Sequence, residues 1–411
     1  MQPSHHLLLH SLRACLGSAP AAVSRRVQGE EGIESATLAM RSSLSFQFLQ
    51  ALGASGQGGL PSESLKALVA QIRHTCVRNA LLQRRLRQLV EACEAEGVQV
   101  ILVKGLWLVH CVYRDAAARE AGDIDLLLRP GDVGRFTRIV QRLGFTVPPK
   151  GASLSAEAHS TNEFALRHPD DGLLVDVHWS LTNPVTERQV DEDLLWQRSE
   201  LVDLAGVRCR TLKLEDHLLY LCFHAAVHHK LWAVGPRCLY DVALVLRQPP
   251  RPIRWNELVD GARALGWERA AWLMFSLVEE HLGVAIPATV LQALHQESPP
   301  DAEVRRVALE TIFAAQEQES VYRHLARMLA PGSTGRSLSA LWQLLLPSRV
   351  QMTNQYGVCP GTPTWVLHLK RWALKLRDWT PEFGALLAGG RAQREELSRM
   401  RQLQQWLDAR A

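Results

Sequence analysis

A chain of 411 residues that is 47% hydrophobic and 21% charged, with mean hydropathy near zero, holds enough apolar material for two or three domains with ample cores. A formal net charge of +4 spread over that length is too small to argue for nucleic acid as a partner. No apolar run approaches the roughly 18 residues needed to span a bilayer.

The eight cysteines are scattered and never form Cys-x-x-Cys, and several fall in apolar runs. The expectation is therefore buried, reduced thiols in a cytoplasmic protein. His10 and Arg13 interrupt the brief apolar run Leu7–Leu9, which argues against a signal peptide.

Residues 1–60 mix a short helical pattern, Leu7 to Leu16, with Gly- and Ser-rich connections; Gly53–Gly59 reads as a loop. Between Ser62 and Gly97 apolar residues recur at helical spacing, with arginines and glutamates on the intervening face. That pattern predicts one long or two stacked amphipathic helices. Val98–Val103 is apolar except for Gln99 and fits a buried strand.

The turn Lys104-Gly105, a short helix and a loop lead to Gly122-Asp123-Ile124-Asp125, which opens the apolar strand ending at Leu128. Alternation places Asp123 and Asp125 on one face. Like charges held together repel unless a cation neutralises them, and oxygen ligands suit a hard ion such as Mg²⁺, with Mn²⁺ as the alternative. The plain alternative is a solvated strand end.

Asp132 is placed to cap a helix over Val133–Leu143, which Gly144 closes. Glu163–His168 and Leu173–Trp179 flank Pro169-Asp170-Asp171-Gly172, a strong hairpin signal. Asp176 and His178 share one face of its second strand. From Leu214 onward the chain reads as helices, including Glu215–His229, Cys238–Leu246, Trp255–Leu265, Glu268–Leu282, Glu303–Met328 and a charged tract at Arg391–Ala411.

Three acids on adjacent strands beside a glycine turn form an arrangement for phosphoryl chemistry. Asp123 and Asp125 would hold a pair of ions about 3.5–4 Å apart, and Asp176 would contact the nucleophile-side ion and accept a proton. Gly105 lets backbone N–H groups approach a triphosphate at a helix start.

The ordered blocks Leu102-Val103-Lys104-Gly105, Tyr113, Arg119, Gly122-Asp123-Ile124-Asp125 and Val175-Asp176-Val177-His178-Trp179 carry a resemblance. So do His224, His228 and His229 on a helix, Asp241 after it, Pro347-Ser348-Arg349 and Tyr356-Gly357. Together they resemble the uncharacterised bacterial nucleotidyltransferase family of the DNA polymerase beta-like superfamily, over residues 60–360. The resemblance implies an α+β fold, with a small mixed sheet, flanking helices and a helical second domain. The expected divisions are an N-terminal helical segment (1–94), the catalytic domain (95–212), a helical domain (213–330) and a C-terminal helical region (331–411).

The implied activity moves a nucleoside monophosphate from a nucleoside triphosphate to an unidentified hydroxyl- or phosphate-bearing acceptor. The rivals are a toxin–antitoxin-type transferase acting on protein or RNA, and a catalytically silent scaffold that binds a nucleotide or a partner. Active members of the superfamily usually carry Gly-Ser or Gly-Gly where this chain has Lys104-Gly105-Leu106, so a phosphate-binding hydroxyl is missing. Lys104 either serves phosphate as a point charge or pairs with Asp123 or Asp125.

Arg119 is expected to grip phosphate from the loop before the acids. His178 is expected to orient Asp176 or touch substrate, against a purely structural role. His224 and His228 share a helix face, where packing toward the cleft outweighs a zinc site because no further ligands are in rhythm; Asp241 joins them as a cleft candidate. Trp365, Leu369, Trp372, Leu376 and Trp379 form an apolar stripe on a basic helix. Such a helix docks on its own domain, or meets an anionic membrane or a partner.

Overall fold

The computed structural model describes residues 1–18, 29–57, 59–147, 162–183, 187, 189–231, 234–294, 302–313 and 391–408, together with 365, 366, 368, 369 and 372. It divides into two compact units, Met1–Pro299 and Pro300–Ala411. In the second, helices Ala302–Phe313 and Arg391–Asp408 pack together. The described part of the Trp365–Trp379 stripe is helical, with Trp365 and Leu369 exposed. Leu376, Trp379, Pro347-Ser348-Arg349, Tyr356-Gly357 and most of the expected Glu303–Met328 helix lie outside the described residues.

The first unit is an α+β fold around a six-stranded mixed sheet. Its strands are β1 (Val100–Val103), β2 (Ile124–Leu128), β3 (Glu163–Arg167), β4 (Leu174–His178), β5 (Glu200–Leu204) and β6 (Val207–Thr211), in the order β3-β4-β2-β1-β6-β5. β1 runs antiparallel to β2 and parallel to β6, and β2 runs parallel to β4. All residues of β1 and β2 are buried, as continuous apolar runs require in the middle of a covered sheet. The β3–β4 hairpin forms where Pro169–Gly172 signals it.

Three helices, α1 (Pro3–Cys15), α2 (Glu30–Arg41) and α3 (Ser45–Gln57), form in the N-terminal region. The expected Gly53–Gly59 loop is corrected to a kink: Gly53 takes φ 59°, with helical backbone on either side of it. Ser62–Ala95 is one continuous helix, α4, whose buried residues Leu68, Thr75, Asn79, Leu82, Leu86, Leu89, Val90 and Cys93 trace its inner face. Helix α5 (Gly105–Trp107) follows β1 and continues as a π-helical turn, Leu108–Tyr113. After β2, α6 (Val133–Arg142) packs on α4 through a face that includes Phe136, Ile139 and Val140.

Beyond the sheet, α7 (Glu192–Arg198) precedes β5, and α8 (Leu214–Phe223) follows β6. The expected single helix Glu215–His229 widens at its end into a π-helical turn, His224–His228. Helices α9 (Arg237–Arg247), α10 (Trp255–Leu265), α11 (Glu268–Leu282) and α12 (Ala288–Leu294) complete the helical layer. No helix among the described residues is long and apolar enough to cross a membrane.

Candidate active site

The site grows from strand register. Asp125 lies directly opposite Asp176 across the parallel β2–β4 ladder, and Asp123 precedes β2 by one residue. One carboxylate oxygen from each lies within 4.8 Å of those from the other two. Asp125 is 4% exposed, whereas Asp123 and Asp176 are half-buried.

Lys104 directly follows β1, which flanks β2 on the side away from β4. Its Nζ donates to Asp125 Oδ1 at 2.9 Å, and His178 Nε2 reaches the same oxygen at 3.2 Å. His178 Nδ1 lies 2.9 Å from Glu163 Oε2 on β3. Of the two sequence readings of Lys104, the structure displays the ion pair. His178 contacts Asp125 rather than Asp176.

The electrostatics divide the three acids. Burial opposes ionisation of Asp125, but the Lys104 ammonium and His178 hold its carboxyl well below the usual range. Burial, then the charges of Asp125 and Asp176, push Asp123 up to about 7. Burial and the Asp125 charge push Asp176 up to about 6. Burial would lower His178, but its hydrogen bonds to Asp125 and Glu163 raise it to about 9.

The sequence places the special backbone at Gly105; the structure moves it one residue back. Lys104 takes φ 54°, a left-handed conformation costly for a residue with a Cβ, while Gly105 starts α5. The Lys104 N–H donates to His217 Nε2 at 3.0 Å, and His217 stacks on Trp107 with ring centroids 3.9 Å apart. Burial lowers His217 to about 3, which keeps Nε2 an acceptor.

Arg119 is spent on Asp241. Its Nε and Nη2 meet the two Asp241 oxygens at 2.9 and 3.0 Å, a bidentate pair in which Tyr113 Oη also donates to Asp241 at 2.7 Å. In this structure Arg119, expected to grip phosphate, forms a buried ion pair and also lines the site's cavity. Its Nη1 also donates to the Gly105 carbonyl at 3.4 Å, so the pair braces the lysine–glycine turn.

The same loop is held from the N-terminal helices. Asn79 on α4 donates to the carbonyls of Ala116 and Arg119, each at 2.7 Å, and accepts from Ala121 N at 3.0 Å. Gln47 on α3 donates to the Ala118 carbonyl at 2.6 Å, and Arg78 donates to the Ala121 and Gly122 carbonyls.

Lys104, Gly105, Asp123, Asp125, Asp176 and Glu163 line a cavity of about 320 Å³. Its wall also includes His224, His228, His229, Arg237 and Asp241. The π-helical turn brings residues five apart together: His229 Nε2 lies 3.0 Å from His224 Nε2, while the His224 and His228 rings stack with centroids 5.4 Å apart. His228 Nδ1 contacts Glu187 at 2.9 Å. Among the described residues, the grouping that could hold a metal is the aspartate triad; the histidines do not form one.

The all-carboxylate donor set fits a hard divalent ion, and the two raised carboxyls mark a site whose negative charge Lys104 only partly balances. A family described as an uncharacterised nucleotidyltransferase matches residues 34–283, more than half of the chain. The chain belongs to that family. No curated protein and no solved structure matches it. A member of this family has a nucleoside triphosphate as its implied substrate, and here the family match spans the triad, the lysine–glycine turn and the histidine wall.

Proposed function

We propose that this nucleotidyltransferase moves a nucleoside monophosphate from a nucleoside triphosphate to a hydroxyl- or phosphate-bearing acceptor. The reading rests above all on the β2–β4 register, which draws Asp123, Asp125 and Asp176 around one cation-sized space. Those three residues would hold Mg²⁺, or Mn²⁺ in its place, which supplies positive charge to the α-phosphate in an in-line displacement. The order of Lys-Gly, Asp-x-Asp and Asp-x-His supports a place in the DNA polymerase beta-like superfamily. The described cysteines are all free, which supports a reducing, cytoplasmic setting.

The chain's own groups do the rest. With a hydroxyl acceptor, Asp176 takes its proton as the acceptor oxygen bonds to the α-phosphorus. The bond from phosphorus to the bridging oxygen breaks opposite, and its electron pair leaves with pyrophosphate. Arg237 grips the β- and γ-phosphates from the cavity wall, and the backbone at Gly105 approaches them from the turn. His178 fixes the orientation of Asp125, and the Arg119–Asp241 pair fixes the turn.

The test is to offer ATP, GTP, CTP and UTP separately with Mg²⁺, following binding and pyrophosphate release. The wild type is expected to bind and release pyrophosphate, and the variant carrying Asp123→Ala and Asp125→Ala to lose both. Equal binding by the two proteins, with no pyrophosphate from either, would falsify the enzyme reading. It would favour the scaffold reading, which the Lys104–Asp125 pair also supports.

A further inference from the structure

We infer that the site operates with one bound divalent ion, the second positive centre being the Lys104 ammonium. The inference rests on the nucleotidyl-transfer reading and refines its cation count. A carboxylate that bridges two ions must offer oxygen lone pairs to both. In Asp125, Oδ1 already accepts from Lys104 at 2.9 Å and faces His178 Nε2 at 3.2 Å. The oxygen that remains serves one ion.

Lys104 is built into this place rather than caught there. Its side chain is 14% exposed and its ammonium sits 5.5 Å from the Tyr220 ring centroid. Its backbone is left-handed and is anchored through its N–H to His217, itself stacked on Trp107. Strain of this kind persists where the surroundings over-determine it, and such positions cluster at functional sites. A lysine held at both ends cannot swing aside to admit a cation on Oδ1.

Sheet order says which centre it replaces. β1 and β4 flank β2 from opposite sides, so Lys104 approaches Asp125 from the side away from Asp176. The retained ion lies with Asp176, the nucleophile side. Lys104 takes the side of the triphosphate, where it would meet the leaving pyrophosphate as a compact point charge. Charge closes on the same count: three carboxylates against one ammonium and one divalent ion, with His178 and Glu163 cancelling each other.

Electron paramagnetic resonance of the full chain, loaded with Mn²⁺ in the presence of inorganic tripolyphosphate, counts the ions without turnover. The wild type is expected to hold one protein-bound Mn²⁺ per chain with the spectrum of an isolated ion. Lys104→Met, and Lys104→Gly, which relieves the left-handed backbone, are expected to admit a second ion with a spin-coupled spectrum, once thermal melting shows them folded. A coupled pair in the wild type, or folded variants that still hold one ion, overturns the inference and leaves nucleotidyl transfer standing. A wild type that holds no Mn²⁺ overturns both.

Discussion

Arg119 and Asp241, 122 residues apart in the chain, close a bidentate ion pair with both side chains more than nine-tenths buried. The pair ties the loop before Asp123 to helix α9, joining the sheet half of the first unit to its helical half. Removing one partner strands the other charge in the interior, at a cost of about 3–5 kcal/mol. Arg119→Ala and Asp241→Ala should each destabilise the fold by about that much in urea unfolding. The double variant should cost less than the sum, because neither charge is then left alone. Additive losses would mean the two residues act independently.

A second pair contributes to stability in acid. Arg251 forks onto both oxygens of Glu215, at 2.8 Å each, and the Glu215 side chain is fully buried. Burial alone would raise Glu215, but the Arg251 hydrogen bonds bring it below the ordinary value of 4.5. A depressed carboxylate contributes stability that is complete above its unfolded value and is lost as pH falls through the folded one. Stability should therefore fall as pH drops below 4.5, and Glu215→Gln should flatten that part of the unfolding profile. At neutral pH, Arg251→Ala should cost about 3 kcal/mol by leaving Glu215 unpaired.

Strands β1, β2 and β4 were legible because apolar runs bounded by glycine or carrying a few acids have few other uses. The β3–β4 hairpin was legible from its turn. The β5–β6 hairpin was not, because its tight turn is Ala205-Gly206, with φ 52° and 80°, and alanine hides a left-handed position usually signalled by asparagine or aspartate. Its strands also carry Asp203 on the edge strand and Arg208 and Arg210 on the strand beside it, which dilutes the apolar pattern. The three acids stood out because their chemistry repeats on one strand face. Asn79, His217, Glu163 and Arg237 did not, since each acts through a partner distant in sequence, and no local pattern encodes that pairing. The Arg119–Asp241 pair was hidden for the same reason: Asp241 meets the guanidinium from another helix.

Asn79 illustrates how the N-terminal helices serve the site. It is 1% exposed and makes three hydrogen bonds to the loop that ends at Asp123. Asn79→Leu removes the partners of two carbonyls and one N–H in a buried setting, for a loss of about 3 kcal/mol at roughly 1 kcal/mol per bond. Because the loop delivers Asp123, Mn²⁺ affinity should weaken even where the variant is fully folded. Calorimetric titration with Mn²⁺ checks this; unchanged affinity in the folded variant would show that Asp123 is positioned by β2 alone.

Arg237 faces the cavity with positive charge to spare. Its Nη1 donates to the Glu120 carbonyl at 3.2 Å, and among the described residues it forms no ion pair. Burial and the neighbouring Arg119 cation lower its pKa, the mark of a guanidinium that lacks a counter-charge of its own. An incoming triphosphate supplies that counter-charge. Arg237→Ala should weaken triphosphate binding about tenfold, or about 1.4 kcal/mol, with the fold intact. Arg237→Lys should recover only part of the loss, because an ammonium replaces the charge but not the fork. Calorimetry against a nucleotide and against inorganic tripolyphosphate separates the alternatives. Equal losses for both ligands locate Arg237 on the phosphates, whereas a loss confined to the nucleotide would move it to the sugar or base.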